Sequence, residues 1–343
     1  MSRLDVGTED RVTAAECTGP MAVILQAREV PLGGVRNMHV RRTLPQRDLP
    51  MVGAWCFLDR FGPQPTRMRV EPHPHIGLQT VTWPLLGEVR HRDTIGSDVV
   101  VTRGALNLMT SGHGIAHSEY SLGEEEIPLD ALQLWVALPE SARHMAPAFE
   151  QHTELPRLSA PGLEALVVMG EFGGVTSPAT AHTPIVGAEV RIAAGATVRL
   201  PLHAHWEYAL LGVVGTIEVA TGETSTESNT DSNTDSSTDV ATGTRVDDEA
   251  LLYLGIGREH IDVHAPDGAT VFLLGGEPFP EQIIMWWNFV GRTHEEIVAA
   301  REDWERDSPR FGRVSGHGDE RIPAPPMPGV RLTTRQRRLG GQR

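Results

Sequence analysis

The string HPHIGLQTVTWPLLGEV at 73–89 returns as HAHWEYALLGVVGTIEV at 203–219. Each copy opens on His-x-His, runs through an apolar arm and passes a glycine, so the chain is expected to hold one structural unit twice. The segments around both copies are short and cut by Gly, Pro or Asp: LQTVTWPLL, EVRHRD, VVVTRG and ALNLMTSG in the first half, then LEALVVMG, ALLYLG and TVFLLGG in the second. Strands of that length between turn residues predict barrels or sandwiches. Because strand side chains alternate with period two, Leu78, Thr80, Thr82 and Pro84 share one face and Gln79, Val81, Trp83 and Leu85 the other. With its Gly87 turn the segment is expected to be a hairpin arm. At 343 residues the chain has room for two cores.

Composition removes several functions. Acidic residues exceed basic ones 45 to 30, for a formal charge of −15, which argues against direct nucleic-acid binding through phosphate neutralisation. Every basic residue is arginine, so a lysine Schiff base and a P-loop lysine are excluded. Two cysteines, Cys17 and Cys56, cannot build a four-thiolate zinc site or a disulfide framework. The first residues lack a signal-peptide pattern and no apolar run reaches membrane-spanning length, so a cytoplasmic protein without membrane contact is expected. No Gly-x-Ser-x-Gly elbow or dinucleotide fingerprint occurs.

Histidine is the abundant reactive residue, with 15 copies. In EPHPHIG, His73 and His75 stand at i and i+2, so on a strand both imidazoles leave one face. In SGHGIAHSEYS, His117 and Glu119 repeat the spacing. Facing strands would bring three imidazoles and a carboxylate to one point, a donor set for a divalent first-row metal with coordination positions left open. Those donors accept Fe(II), Mn, Ni, Cu, Co or Zn.

At these residues the sequence resembles the pirin family. The run HPHIGLQTVTWPLLGEVRHRDTIGSDVVVTRGALNLMTSGHGIAHSEYS carries the resemblance, as does LLGGEPFPEQIIMWWNFVGRTHEEIVAAREDWERDSPRFG, and it covers about residues 25–312. It implies an all-β bicupin, two double-stranded β-helix (jelly-roll) barrels with a short C-terminal helix, and a metal, iron by default, on His73, His75, His117 and Glu119. Family members include flavonol dioxygenases (quercetinases) and a nuclear cofactor of transcription factors. The resemblance therefore implies a dioxygenase acting on quercetin or a similar aromatic substrate with dioxygen. In that chemistry Glu119, or a water beside it, takes the flavonol hydroxyl proton, and the central ring opens with loss of carbon monoxide. The other implied function is a non-catalytic metal-binding, redox-sensing module acting on a protein partner. A bicupin supplies its own barrel-to-barrel packing, so a monomer is expected.

The expected organisation is a segment 1–24, a metal-bearing cupin domain 25–150, a second cupin domain 151–312 and a disordered Pro/Arg-rich tail 313–343. The Ser/Thr/Asp/Asn tract 221–244 reads as a disordered insertion. In the tail, Arg331, Arg335, Arg337, Arg338 and Arg343 read as a solvated cluster. In THEEIVAAREDWERD, Thr293 and Glu296 predict a capping box, and Ile297, Ala300 and Trp304 an apolar face docked on a barrel.

Departures from the broader cupin pattern narrow the site. Gln79 stands where a cupin usually has a ligating Glu, leaving the carboxylate to Glu119. His113, preceded and followed by glycine, is expected beside the site rather than on the metal. His203, His205 and Glu207 keep strand spacing, but the later strands of that half offer only His260 and His264, so a degenerate structural half is expected. Trp55, Trp83, Trp135, Trp286 and Trp287 are read as core. Asp59 and Arg60 are read as a turn ion pair, His91 and Asp93 as water-facing, and Cys56 as a buried inert thiol.

Overall fold

The computed structural model describes residues 17, 19–32, 38–221, 243–335 and 337–339. Most of the tract 221–244 and Arg343 lie outside them. The described chain is nearly all antiparallel strand, with one α-helix, His294–Glu305. None of the described helical structure is long and apolar enough to cross a membrane.

Two units repeat the same plan. In the first, a seven-stranded sheet runs in the order 148–152, 106–110, 78–86, 127–137, 55–66, 38–44, 28–32, opposite a four-stranded sheet ordered 69–75, 115–120, 88–93, 98–102. In the second, an eight-stranded sheet faces one ordered 196–201, 260–265, 217–219, 244–246. Each unit is a double-sheeted jelly roll, and the chain is a bicupin.

Strand alternation builds both the join between the units and the interior of the first. Val81, Trp83, Leu132 and Leu134 on one large sheet share a buried cluster with Val168, Leu211, Phe272 and Leu274 on the other, so the large sheets pack face to face. Two tryptophans fasten that join, Trp55 Nε1 donating to the Val186 carbonyl at 3.0 Å and Trp83 Nε1 to Glu189 at 2.8 Å. Trp55, Trp83, Trp135 and Trp286 are buried as expected, and Trp287 is partly so. The opposite parity of the same strand, Thr80 and Thr82, turns into the first barrel. There Val40, Phe61, Val89, Val101 and Leu129 fill the space between the sheets.

Several expectations need correction. Strand 78–86 pairs with 106–110 and 127–137, whereas strand 88–93 pairs with 98–102 and 115–120. The Gly87 turn is thus a corner between sheets, not a hairpin. Its φ is +79°, and a Cβ there would lie 2.5 Å from the Pro128 carbonyl oxygen, so the corner requires glycine. Asp59 and Arg60 sit within strand 55–66 and point to opposite faces, Asp59 pairing with Arg42 and Arg60 with Asp130.

The segments flanking the two units are exchanged. Strand Pro20–Leu25 joins the second unit's large sheet beside Leu251–Gly255. The helix, capped by Thr293 accepting from the Glu296 amide, buries Ile297, Ala300 and Trp304 against Ile76 and Ala116 of the first unit. Residues beyond 312 continue that cluster through Val314, Ala324 and Leu332. The Ile322 amide donates to the Pro72 carbonyl at 2.8 Å. Of the stretch expected to be a disordered tail, residues 314–332 are therefore packed on the first barrel. Its few apolar residues dock one at a time, which a count of Pro and Arg does not register.

Candidate metal centre

Three imidazoles meet inside the first barrel. Strand Ile115–Tyr120 pairs with Arg69–His75 so that His117 lies opposite His73 and Ile115 opposite His75. The rings of His73, His75 and His117 stand 4.3 to 5.0 Å apart, centroid to centroid, and their nearest nitrogens lie within 4.8 Å of one another. The i, i+2 spacing does bring His73 and His75 to one face. One irregularity assists: Glu119 is opposite Val70 while His117 is opposite His73, so strand 69–75 carries one extra residue there. The bulge turns Val70 and His73 both inward despite their odd separation, and frees Glu71 to meet Tyr120 and His317 outside.

Glu119 adjoins the triad through His117. Its carboxylate groups with His117 and His91, not with His73 and His75 as a single set of four. Its Oε1 lies 3.1 Å from the Thr82 hydroxyl, which also reaches Gln133 at 3.0 Å. Among the described residues, close donor sets comprise these two, which share His117, and an outer one of Glu71, His317 and Glu320.

Burial governs the electrostatics. His73, His75, His117 and Glu119 are 7, 1, 1 and 5% exposed. Desolvation pulls His73 down to about 4, and holds His75 and His117 well below the ordinary imidazole range, against weaker opposing hydrogen bonds where these exist. All three are neutral at pH 7, the form in which imidazole has a lone pair to give a metal. Burial raises Glu119, partly offset by His91 and Thr82, making it a stronger base than an exposed carboxylate.

The backbone fixes two of the rings. His73 Nδ1 donates to the Glu71 carbonyl at 2.9 Å and His75 Nδ1 to the Asn288 carbonyl at 3.0 Å. With the proton on Nδ1, each Nε2 is the bare nitrogen. Trp135 stands edge-on to His75 at 5.2 Å and is itself stacked on Phe57 at 4.0 Å. His117 Nε2 is buried without a hydrogen-bond partner. An orphaned buried nitrogen costs about 1–3 kcal/mol, and a metal ion shared with the other two imidazoles would satisfy it. The residues present therefore fit a divalent metal.

The remaining candidates separate cleanly. His113 is exposed and its Nδ1 meets the Met145 carbonyl at 3.0 Å. Gln79 faces away from the barrel interior, donating to Thr110 and to the Thr180 carbonyl. In the second unit His203 and His205 are exposed and join no donor group among the described residues, and His260 and His264 do not approach them. Glu207 is fully buried, but it binds Arg337, the Gly53 amide at 2.7 Å and Tyr253. These partners lie in the join between the units, on the face Glu207 shares with Ala209 and Leu211, so its carboxylate is already satisfied outside the second barrel's interior. Cys56 is buried and its thiol is pushed up to about 12, chiefly by desolvation, leaving it unreactive.

His91 and Asp93, expected to face water, are buried at 2 and 3% exposure, with His91 Nδ1 3.3 Å from His117 Nδ1. The signal was in EVRHRD: His91 and Asp93 share parity with the buried Val89. Turn proximity does not override alternation along a six-residue strand.

Comparison with known proteins agrees with this architecture. The Pirin family model matches residues 36–136 and the Pirin C-terminal cupin domain model matches residues 187–312. A Pseudomonas aeruginosa protein named "Putative quercetin 2,3-dioxygenase" is 40% identical over 306 residues, covering 88% of this chain and 89% of its own. A Caulobacter vibrioides pirin-like protein is 33% identical, over 88% of this chain and 99% of that protein. The crystal structure of a quercetin 2,3-dioxygenase from Acinetobacter baumannii superposes with a TM-score of 0.81 at 34% identity, over 92% of this chain and 98% of that one. By fold, repeated architecture and similarity across both halves, the chain belongs to the pirin family.

Proposed function

We propose that the chain is a metal-dependent dioxygenase of the quercetinase type, with its metal held by His73, His75 and His117 and with Glu119 as the fourth donor or the base beside it. The observation that carries the reading is the triad: three buried neutral imidazoles, two with Nε2 bared by backbone hydrogen bonds and the third with an unpartnered Nε2. Likeness to proteins named as quercetin 2,3-dioxygenases supports the substrate class, an aromatic hydroxyketone with dioxygen. A bound divalent metal, Fe(II) or another first-row ion, supplies Lewis acidity at the substrate oxygens. Glu119, raised by burial, accepts the proton of the flavonol hydroxyl, and Thr82 orients the receiving oxygen. Trp135 and Phe57 hold His75 in place and keep water from that side.

A second reading, a metal-binding module that signals to a protein partner, is favoured by one observation, the near-complete enclosure of the triad. The test is oxygen uptake with quercetin after anaerobic loading with Fe(II), Ni(II) or Mn(II). Uptake that is lost in Glu119→Gln while metal is retained supports the dioxygenase. One equivalent of bound metal with no oxygen consumed under any loading supports the module instead.

A further inference from the structure

His117 differs from its two neighbours in lacking a backbone carbonyl at Nδ1. Instead that nitrogen lies 3.3 Å from His91 Nδ1. His91 Nε2 lies 3.1 Å from Asp93 Oδ2, and the other Asp93 oxygen accepts the amides of Ile95 at 3.0 Å and Ser97 at 2.9 Å. The turn after strand Glu88–Asp93 thus clamps the Asp93 carboxylate and aims one oxygen at His91. Phe149, stacked on His91 at 4.6 Å and 21°, fixes the ring plane.

We propose that Asp93 and His91 are positioning residues that set which nitrogen of His117 carries the proton, and so hold its Nε2 bare toward the metal. The logic is a count of protons along one line. A carboxylate only accepts, so His91 Nε2 carries a proton, and a neutral His91 then has a bare Nδ1. With His91 uncharged, the one hydrogen that a contact between two Nδ1 atoms needs comes from His117; were it to come from His91, the proton of His117 would sit on its buried, unpartnered Nε2. His117 Nε2, buried and without a partner, is left as a lone pair beside His73 and His75. A backbone carbonyl does this work for His73 and His75, and an Asp–His pair does it for His117.

The competing arrangement is His91 as a ligand, since it also groups with His117 and Glu119. In that case His117 would coordinate through Nδ1, leaving a proton on its buried, unpartnered Nε2. The relay leaves no such orphan once the triad is filled.

The inference rests on the triad as the metal holder, so its test reads the tautomer independently of metal. Long-range 1H–15N correlation on the metal-free protein should show His117 protonated at Nδ1 and His91 at Nε2. His117 protonated at Nε2 overturns the proposal. Separately, Ni(II) affinity by chelator competition should fall about 10–100-fold in His91→Phe, which keeps the stack on Phe149 but cannot accept. His91→Gln, whose amide oxygen can accept from His117, should recover most of that loss, and Asp93→Asn should weaken binding without abolishing it. Affinity of His91→Phe within twofold of wild type overturns the proposal. So does a loss as complete as that of His117→Ala, which would make His91 a ligand. If wild type binds no Ni(II), the metal reading falls while the tautomer measurement still decides the relay.

Discussion

Replacing Arg337 with alanine should destabilise the chain far more than loss of a surface arginine. Both Arg337 Nη atoms engage the Glu207 carboxylate, Nη2 also reaches the Met51 carbonyl at 3.1 Å, and the two side chains are 12 and 0% exposed. The pair ties residues 337–339 to the start of strand Glu207–Val214, with the Arg338 amide donating to the Asp48 carbonyl at 2.9 Å. Removing one partner of a buried pair costs about 3–5 kcal/mol because the other charge stays buried without it. In a chain of this size each kcal/mol moves the melting temperature by about 1.4 °C, so Arg337→Ala should melt about 4–7 °C lower. The asymmetry is the sharper test. Glu207→Gln leaves an arginine that is already 12% exposed and can turn toward water, and should cost less. In the double variant no carboxylate is stranded, so part of the Arg337→Ala loss should return. Urea unfolding followed by tryptophan fluorescence reads all three. A loss below about 0.5 kcal/mol in Arg337→Ala, the size expected of an exposed residue, would refute the packed end and restore the solvated-tail expectation.

Stability of the metal-free protein should rise as pH goes from about 4 to 6.5. His73 titrates at about 4 when folded and near 6.5 when unfolded, so between those values the unfolded chain binds more protons. That difference is worth about 3 kcal/mol, present above the unfolded value and lost as pH falls. His75 and His117 act in the same sense, and Glu119, raised by burial, in the opposite one, so thermal melts across that window should favour the higher pH; a flat profile would contradict burial of the triad. Gly77→Ala should unfold the region beneath His75, because φ is +69° and the new Cβ would lie 2.1 Å from the Val290 carbonyl oxygen; calorimetry should show a drop of more than about 3 kcal/mol, and wild-type stability would be the contrary result. Cys56 should resist alkylation at pH 8 in native protein and react once unfolded in urea, as mass-spectrometric mapping would show; native labelling would contradict its burial.

Much of this was legible in the sequence because period-two alternation is a local property. The triad histidines, the helix with its Thr293 cap and the shared face of Val81 and Trp83 all follow from spacing and parity, though not that this face meets the other unit. What spacing could not supply is pairing. Nothing local in Gly87 distinguishes a hairpin from a corner, and nothing in Pro20–Leu25 says that this strand crosses to the second unit. The grouping of Glu119 with His91 depends on partners along different strands, here the alignment of His117 with Asp93 and of Glu119 with His91. The packed C-terminal stretch was hidden for another reason. Val314, Ala324 and Leu332 are isolated among Pro, Gly and Arg, so no period marks them, and only the first barrel gives them a common surface.

The central claim is that His73, His75 and His117 hold one divalent ion in the first unit. Anomalous diffraction at the Ni or Fe edge from crystals of metal-loaded protein tests it directly. One peak per chain, within coordination distance of those three imidazoles and with no second peak near Glu207, is the predicted result. A peak bounded by His91 without His73 and His75, or one in the second unit, would contradict it.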